Sequence, residues 1–234
     1  WRTTLSAASN EQGAAYNGRM SDSLEQRPTY IDVDLDALAR NLAAIRSHVG
    51  VPVMGIVKAN GYGHGLVPVA RRLESEGVDQ LGVAFVEEGI ALRRAGIRMP
   101  ILVLGGIFGP QVAQYLEHDL EITVSSIDKL RQVEAAAEAA GKRAVVHLKI
   151  DTGMERIGVH SYSCGPFLGA AVASRWCDVK GIYSHLACAD DPASPMTMRQ
   201  LERFHEACAH FERIGAPMPI RHLANSGGVL HFRE

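Results

Sequence analysis

From about Tyr30 onward, short apolar and β-branched runs alternate with longer stretches whose apolar positions recur at helical spacing. Tyr30-Ile31-Asp32-Val33-Asp34-Leu35 alternates like a half-buried strand. Leu38, Leu42 and Ile45 then fall on one helical face, with Asp34 placed to cap that helix. The units repeat. Strands are expected at 53–57, 81–85, 101–104, 120–124, 144–150, 179–184 and 219–223, with helices between them. The clearest helix runs from Ile127 to Ala140: Ser125 and Asp128 have capping-box spacing and Gly141 supplies the stop. Pro192-Ala193-Ser194-Pro195 reads as a loop. This alternation predicts an α/β fold with a parallel sheet. Counting from Val53 gives one strand fewer than the eight of a closed (β/α)8 TIM-type barrel. The expectation is therefore a barrel domain over 30–234, truncated before closure. Residues 1–29 read as an extension expected to be disordered, with Met20 as a plausible start.

Composition narrows the classes. A chain of 234 residues with 47% hydrophobic and 21% charged residues has material for a sizeable core. A net charge of -2, without a basic run, argues against a nucleic-acid surface. No apolar stretch reaches membrane-spanning length. The first 30 residues lack the apolar segment of a secretory signal, and Cys164, Cys177, Cys188 and Cys208 show no Cys-x-x-Cys spacing. They read as reduced thiols of a cytoplasmic protein, not as a metal site.

In a βα barrel, working residues sit at the carboxyl ends of strands, and four segments place reactive groups there. In Val57-Lys58-Ala59-Asn60-Gly61-Tyr62-Gly63-His64-Gly65 a strand ends at a lysine, and a glycine-rich turn leads into a helix. Such a lysine can form a Schiff base, although a solvated side chain is the commoner state of a lone lysine. In 145–158, strand periodicity puts His147, Lys149 and Asp151 on one face, pointing into the barrel mouth. Lys149 would be partly buried, needing a charge partner or neutralisation. Arg156 offers a fixed guanidinium in the following loop, and a structural ion-pair cluster explains the pattern equally well. His185 ends a third strand, where a structural histidine is the commoner case. His222-Leu223-Ala224-Asn225-Ser226-Gly227-Gly228 could offer backbone N–H groups and a hydroxyl to a phosphate, or simply cap a helix.

Together these segments resemble a known family. Lys-Ala-Asn-Gly-Tyr-Gly-His-Gly at 58–65 is similar to the cofactor-lysine signature of alanine racemases, which use pyridoxal 5'-phosphate (PLP). Leu-Lys-Ile-Asp-Thr-Gly-Met-Glu-Arg-Ile-Gly at 148–158, Ser-His-Leu-Ala-Cys-Ala-Asp at 184–190 and His-Leu-Ala-Asn-Ser at 222–226 resemble the same family, in its order. The resemblance runs from about Tyr30 to the chain end and concerns the family's N-terminal barrel.

The resemblance implies an isomerase that interconverts L- and D-alanine, with serine or a broader range of amino acids left open as substrates, and with PLP held by Lys58. Lys58 would also act as a base at Cα. Tyr62 and Ser226 would contact the cofactor phosphate, Asn225 would line the same end, and Leu104 would pack near the ring. Arg156 would bond the phenolic oxygen and steady the substrate carboxylate. In many relatives the lysine matching Lys149 is carbamylated, which would turn a cation beside Arg156 into an anion. His185 would sit under the ring region and hold an arginine that contacts the pyridine nitrogen. That arginine, and the second base (a tyrosine of a later β-rich domain, given across a homodimer interface), find no counterpart before Glu234. Glu155 stands where many relatives have glycine. The resemblance thus implies a partial racemase with weak or no turnover by itself, serving D-alanine supply for the cell wall. A single-domain PLP-carrier barrel without racemase activity, and a βα barrel without PLP, remain as alternatives.

Overall fold

The computed structural model describes residues 31–232; the expected extension at 1–29 lies outside the described residues. Helix α1 (Leu35–Val49) comes first. The Asp34 carboxylate accepts from the Ala37 amide at 2.8 Å, and Gly50 at φ 66° ends the helix, because only glycine takes that conformation freely. The expected strand before it is absent: Ile31–Asp34 join no ladder, and Tyr30 is not described. Asp32 and Val33 are buried there without a neighbouring strand among the described residues. Alternation reports which side chains point inward, not whether a partner lies alongside.

Eight strands follow: β1 (Met54–Ile56), β2 (Gln80–Val83), β3 (Ile101–Val103), β4 (Glu121–Val124), β5 (Ala144–Asp151), β6 (Val159–His160), β7 (Cys177–Tyr183) and β8 (Ile220–His222). Seven form one path, β1-β2-β3-β4-β5-β7-β8, parallel at every pairing. The seven expected strands are all present, within a few residues at their ends. The two-residue β6, which pairs β5, was not legible in the sequence. The helices between are α2 (Lys58–Tyr62), α3 (Leu66–Ser75), α4 (Val86–Arg94), α5 (Val112–Glu117), α6 (Ile127–Ala140), α7 (Gly165–Ala173), α8 (Met196–Arg213) and α9 (Ser226–His231). The cap of α6 is Ser126, whose hydroxyl accepts from the Lys129 amide at 3.2 Å, not Ser125. Gly141 ends that helix in the left-handed region, as expected.

The core lies between sheet and helices. Leu81, Ile101, Ile122, Leu148 and Ile182 pack there with Leu92, Leu130 and Phe211. β5 is an interior strand, flanked by β4 and β7, and is buried on both faces except at Val145, as parallel sheets require. The sheet is an open half-barrel: among the described residues β1 and β8 do not pair with each other. Ile220 of β8 is accordingly 56% exposed.

Candidate active site

β1 ends at Ile56, so Lys58 stands just beyond its carboxyl end. The next residues are not ordinary helix. Ala59, Asn60, Gly61 and Tyr62 have φ of 53°, 56°, 61° and 54°, a single left-handed turn. Each non-glycine residue there costs about 1–2 kcal/mol, so the turn must be held from outside. Glu88 of α4 does so: one carboxylate oxygen accepts from the Ala59 amide at 2.7 Å, the other from the Ala84 amide at 2.8 Å. The Asn60 side chain accepts from Leu66 N at 2.9 Å, tying the turn to α3. Backbone strain of this kind concentrates at functional sites. Lys58 Nζ lies 6.0 Å from the Tyr62 ring centroid.

Lys149 of β5 is 4% exposed and forms no ion pair among the described residues. Its Nζ lies 4.6 Å over the Tyr183 ring. Burial pulls its pKa down to about 7; nearby Asp151 opposes this and Arg156 adds to it. Of the two states expected for this lysine, a paired cation is not found. Asp151 is not its partner because that carboxylate is engaged elsewhere. It accepts from the amides of Gly153, Met154, Glu155 and Arg156 at 2.8, 2.9, 3.1 and 3.1 Å. Burial raises the Asp151 carboxyl, but these four bonds outweigh it and hold it below its ordinary range. The loop that carries Arg156 is thus wrapped around one side chain.

His185 lies two residues past the end of β7, half-buried. Gln200 of α8 positions it: its amide donates to the His185 carbonyl at 2.9 Å and to the Thr152 hydroxyl at 3.1 Å, and accepts from Ala187 N at 2.8 Å. Gln200 therefore joins the Asp151–Arg156 loop to the His185 loop. It was missed in the sequence, although a signal existed: a glutamine on the apolar stripe Thr197, Gln200, Phe204, Ala207, Phe211. Tyr183, likewise missed, carries no signal beyond its place in a strand.

At β8 the Asn225 amide is used locally. It caps α9 by accepting from Gly228 N at 2.9 Å and donates to the Leu186 carbonyl at 3.0 Å. Ser226, the first residue of α9, is exposed. Gly227 permits the tight seat of this turn, since a Cβ there would fall 2.6 Å from the Ala189 backbone. Leu104 follows β3, with Phe108 and Phe85 exposed on neighbouring loops.

The electrostatics join these pieces. Burial first, then the positive charges of Lys149, Arg156 and Lys58 in that order, together lower the His185 pKa to about 4. Three cations from two segments thus bear on one ring. None of them forms an ion pair among the described residues. A parallel half-barrel whose strand ends carry cations with no ion pair among the described residues offers a setting suited to a small anionic group. Residues 33–234 match the family described as alanine racemase, N-terminal domain, and the chain belongs to that family. It is 41% identical over 212 residues to an alanine racemase of Desulforamulus reducens, covering 89% of this chain and 57% of that protein. It is 42% identical over 209 residues to that of Symbiobacterium thermophilum, covering 89% and 55%. Among solved structures it superposes on a Clostridium difficile alanine racemase in complex with cycloserine at TM-score 0.83 and 32% identity, covering 86% and 56%. An alanine racemase from a D-cycloserine-producing Streptomyces lavendulae gives TM-score 0.81 and 38% identity, covering 86% and 53%. The chain thus spans little more than half the length of these relatives.

Proposed function

We propose that this chain is the cofactor-holding barrel of a PLP-dependent alanine racemase, and that Lys58 is its cofactor lysine. The observation that carries the reading is that Lys58, Lys149 and Arg156 all bear on His185 and none of them forms an ion pair among the described residues. A phosphate and a carboxylate are what such a donor set lacks. The site fits PLP in other respects: an amine on a rigid turn, and the Tyr62 and Ser226 hydroxyls free of side-chain partners among the described residues.

When bound, PLP delocalises the electron pair left at Cα, which makes the α-proton removable near neutral pH. Lys58 Nζ would hold the cofactor and carry a proton to or from one face of Cα. Arg156, fixed by the Asp151 wrap, would steady the substrate carboxylate and the cofactor's phenolic oxygen. Tyr62 and Ser226 would bind the phosphate. Asn225 would shape that end through its cap, and Leu104 would pack near the ring. His185, kept neutral by burial and its cationic neighbours, would sit under the ring without adding charge. Carbamylation of Lys149 suits a lysine held near 7, because the neutral amine is the form that reacts with carbon dioxide. The domain division, cytoplasmic location, homodimer and D-alanine supply belong to the same reading. The relatives named above are racemases, which favours this reading over a carrier barrel.

The test is to mix the purified chain with PLP, reduce with borohydride and map the adduct by mass spectrometry. A pyridoxyl group on Lys58, lost in Lys58→Ala, is expected. A folded sample without an adduct would sink the assignment.

A further inference from the structure

A second polar assembly crosses the barrel interior away from the loops above. Glu121, the first residue of β4, is buried. One of its carboxylate oxygens, Oε2, accepts from His147 Nε2 at 2.8 Å and from Gln80 Nε2 at 2.6 Å. The other, Oε1, accepts from Lys180 Nζ. His147 Nδ1 lies 2.8 Å from His222 Nε2. The His222 ring stacks on Tyr183, centroids 4.6 Å apart and planes within 7°. The backbone is shaped for this chain of contacts. The β5–β7 register shifts between Val146 and His147, leaving Lys180 as the extra residue and re-aiming it. Gly181 then stands against His147, where a Cβ would fall 2.2 Å from Nδ1.

Proton positions follow from donor and acceptor rules. Burial raises the Glu121 carboxyl, but the bonds from His147 and Lys180 prevail and keep it ionised. An ionised carboxylate only accepts, so His147 Nε2 carries a proton. The contact between the two rings needs one donor and one acceptor. A neutral His147 accepts at Nδ1 from His222 Nε2–H, leaving a lone pair on His222 Nδ1. A charged His147 donates instead, placing the proton on His222 Nδ1. Lys180 already balances Glu121, so a positive charge on the fully buried His147 would have no carboxylate of its own. His222 itself is neutral, its pKa lowered to about 3, first of all by burial.

We propose that Glu121 is a positioning residue that acts through His147 to fix His222 as its Nε2–H tautomer, leaving Nδ1 as an open acceptor. Nδ1 has no partner among the described residues. An acceptor there takes an N–H or O–H donor as its neighbour and rejects a phosphate or carboxylate oxygen. The floor of the barrel thereby sets the polarity of an interior atom two rings away. The inference does not depend on PLP.

The test is a long-range 1H–15N correlation of the histidine rings in the ligand-free chain at neutral pH, assigned with His147→Gln and His222→Gln. Both rings are expected in the Nε2–H pattern. In Glu121→Gln, Lys180 retains the amide oxygen, and the NH2 group faces both His147 Nε2 and Gln80, whose own amide turns to present its oxygen. The His147 and His222 protons should then both move to Nδ1. A wild-type His222 protonated at Nδ1, or an imidazolium at His147, would overturn the proposal without any variant. An unmoved His222 pattern in folded Glu121→Gln would overturn the role of Glu121.

Discussion

The floor and the mouth of this half-barrel hold similar polar residues and treat them oppositely. On the floor, Glu121 receives Lys180, His147 and Gln80, so its charge is fully met. At the mouth, Lys149 lies over an aromatic ring without a carboxylate, and its nearest candidate, Asp151, is bound to four backbone amides. A buried charge left unmatched is costly, so a fold built only for stability would have matched both. The difference separates a region whose buried charges are matched from one whose buried cation is left without a carboxylate.

Removing the wrap at the mouth should have the largest effect. Asp151→Ala strips the acceptor from four amides, three of them in the turn before Arg156. A loss of about 3 kcal/mol is expected in urea denaturation, since bonds to a charged acceptor are each worth roughly 1.5–3 kcal/mol. A variant as stable as the parent would show that the loop is held some other way.

The second effect concerns the unmatched lysine. Lys149 is lowered from 10.5 to about 7 in the folded chain, chiefly by burial, so the unfolded chain binds the extra proton between those values. Stability should therefore rise with pH from about 7 to about 10.5, the opposite of a paired lysine. Lys149→Met should flatten that part of the profile and raise stability near neutrality. Urea midpoints measured at several pH values decide it; a slope unchanged by the substitution would mean that Lys149 is matched after all.

The smallest effect sharpens the contrast between wrap and charge. Glu155 has φ 55° and an exposed side chain, 3.7 Å from His160. Glu155→Gly relieves the left-handed strain and loses only a surface pair, so a gain of about 0.5 kcal/mol is expected after the entropy of glycine is counted. A thermal midpoint that falls would show that the His160 contact holds the loop.

Much of this was legible from the order of residues. The strands of the sheet follow from apolar runs separated by helical spacing, because a doubly covered parallel sheet demands those runs. Asp34 and Gly141 could be placed as helix signals, since capping is local. The run 31–34 could not be judged, because a strand exists only if a neighbour pairs with it. Nor could the cap at Ser126 be told from Ser125, because the choice depends on which side chain the backbone turns inward.

For the site, the residues 58–65, 148–158, 184–190 and 222–226 carried the family in one dimension, and the match over 33–234 agrees with them. Those segments identify chemistry because their residue types are needed in fixed local order. The partners of those residues are another matter. That Gln200 ties two loops and that Glu121 reaches His222 through His147 rest on contacts between segments 15 to 75 residues apart, whereas the Asp151 wrap is local, within five residues, and only its leaving Lys149 without a carboxylate belongs to the fold. The sequence by itself determined the sheet, its helices and the reactive groups at the strand ends. Only the tertiary structure decided which charges are matched, because pairing depends on distance through the barrel interior, and side-chain order along the chain carries no measure of that distance.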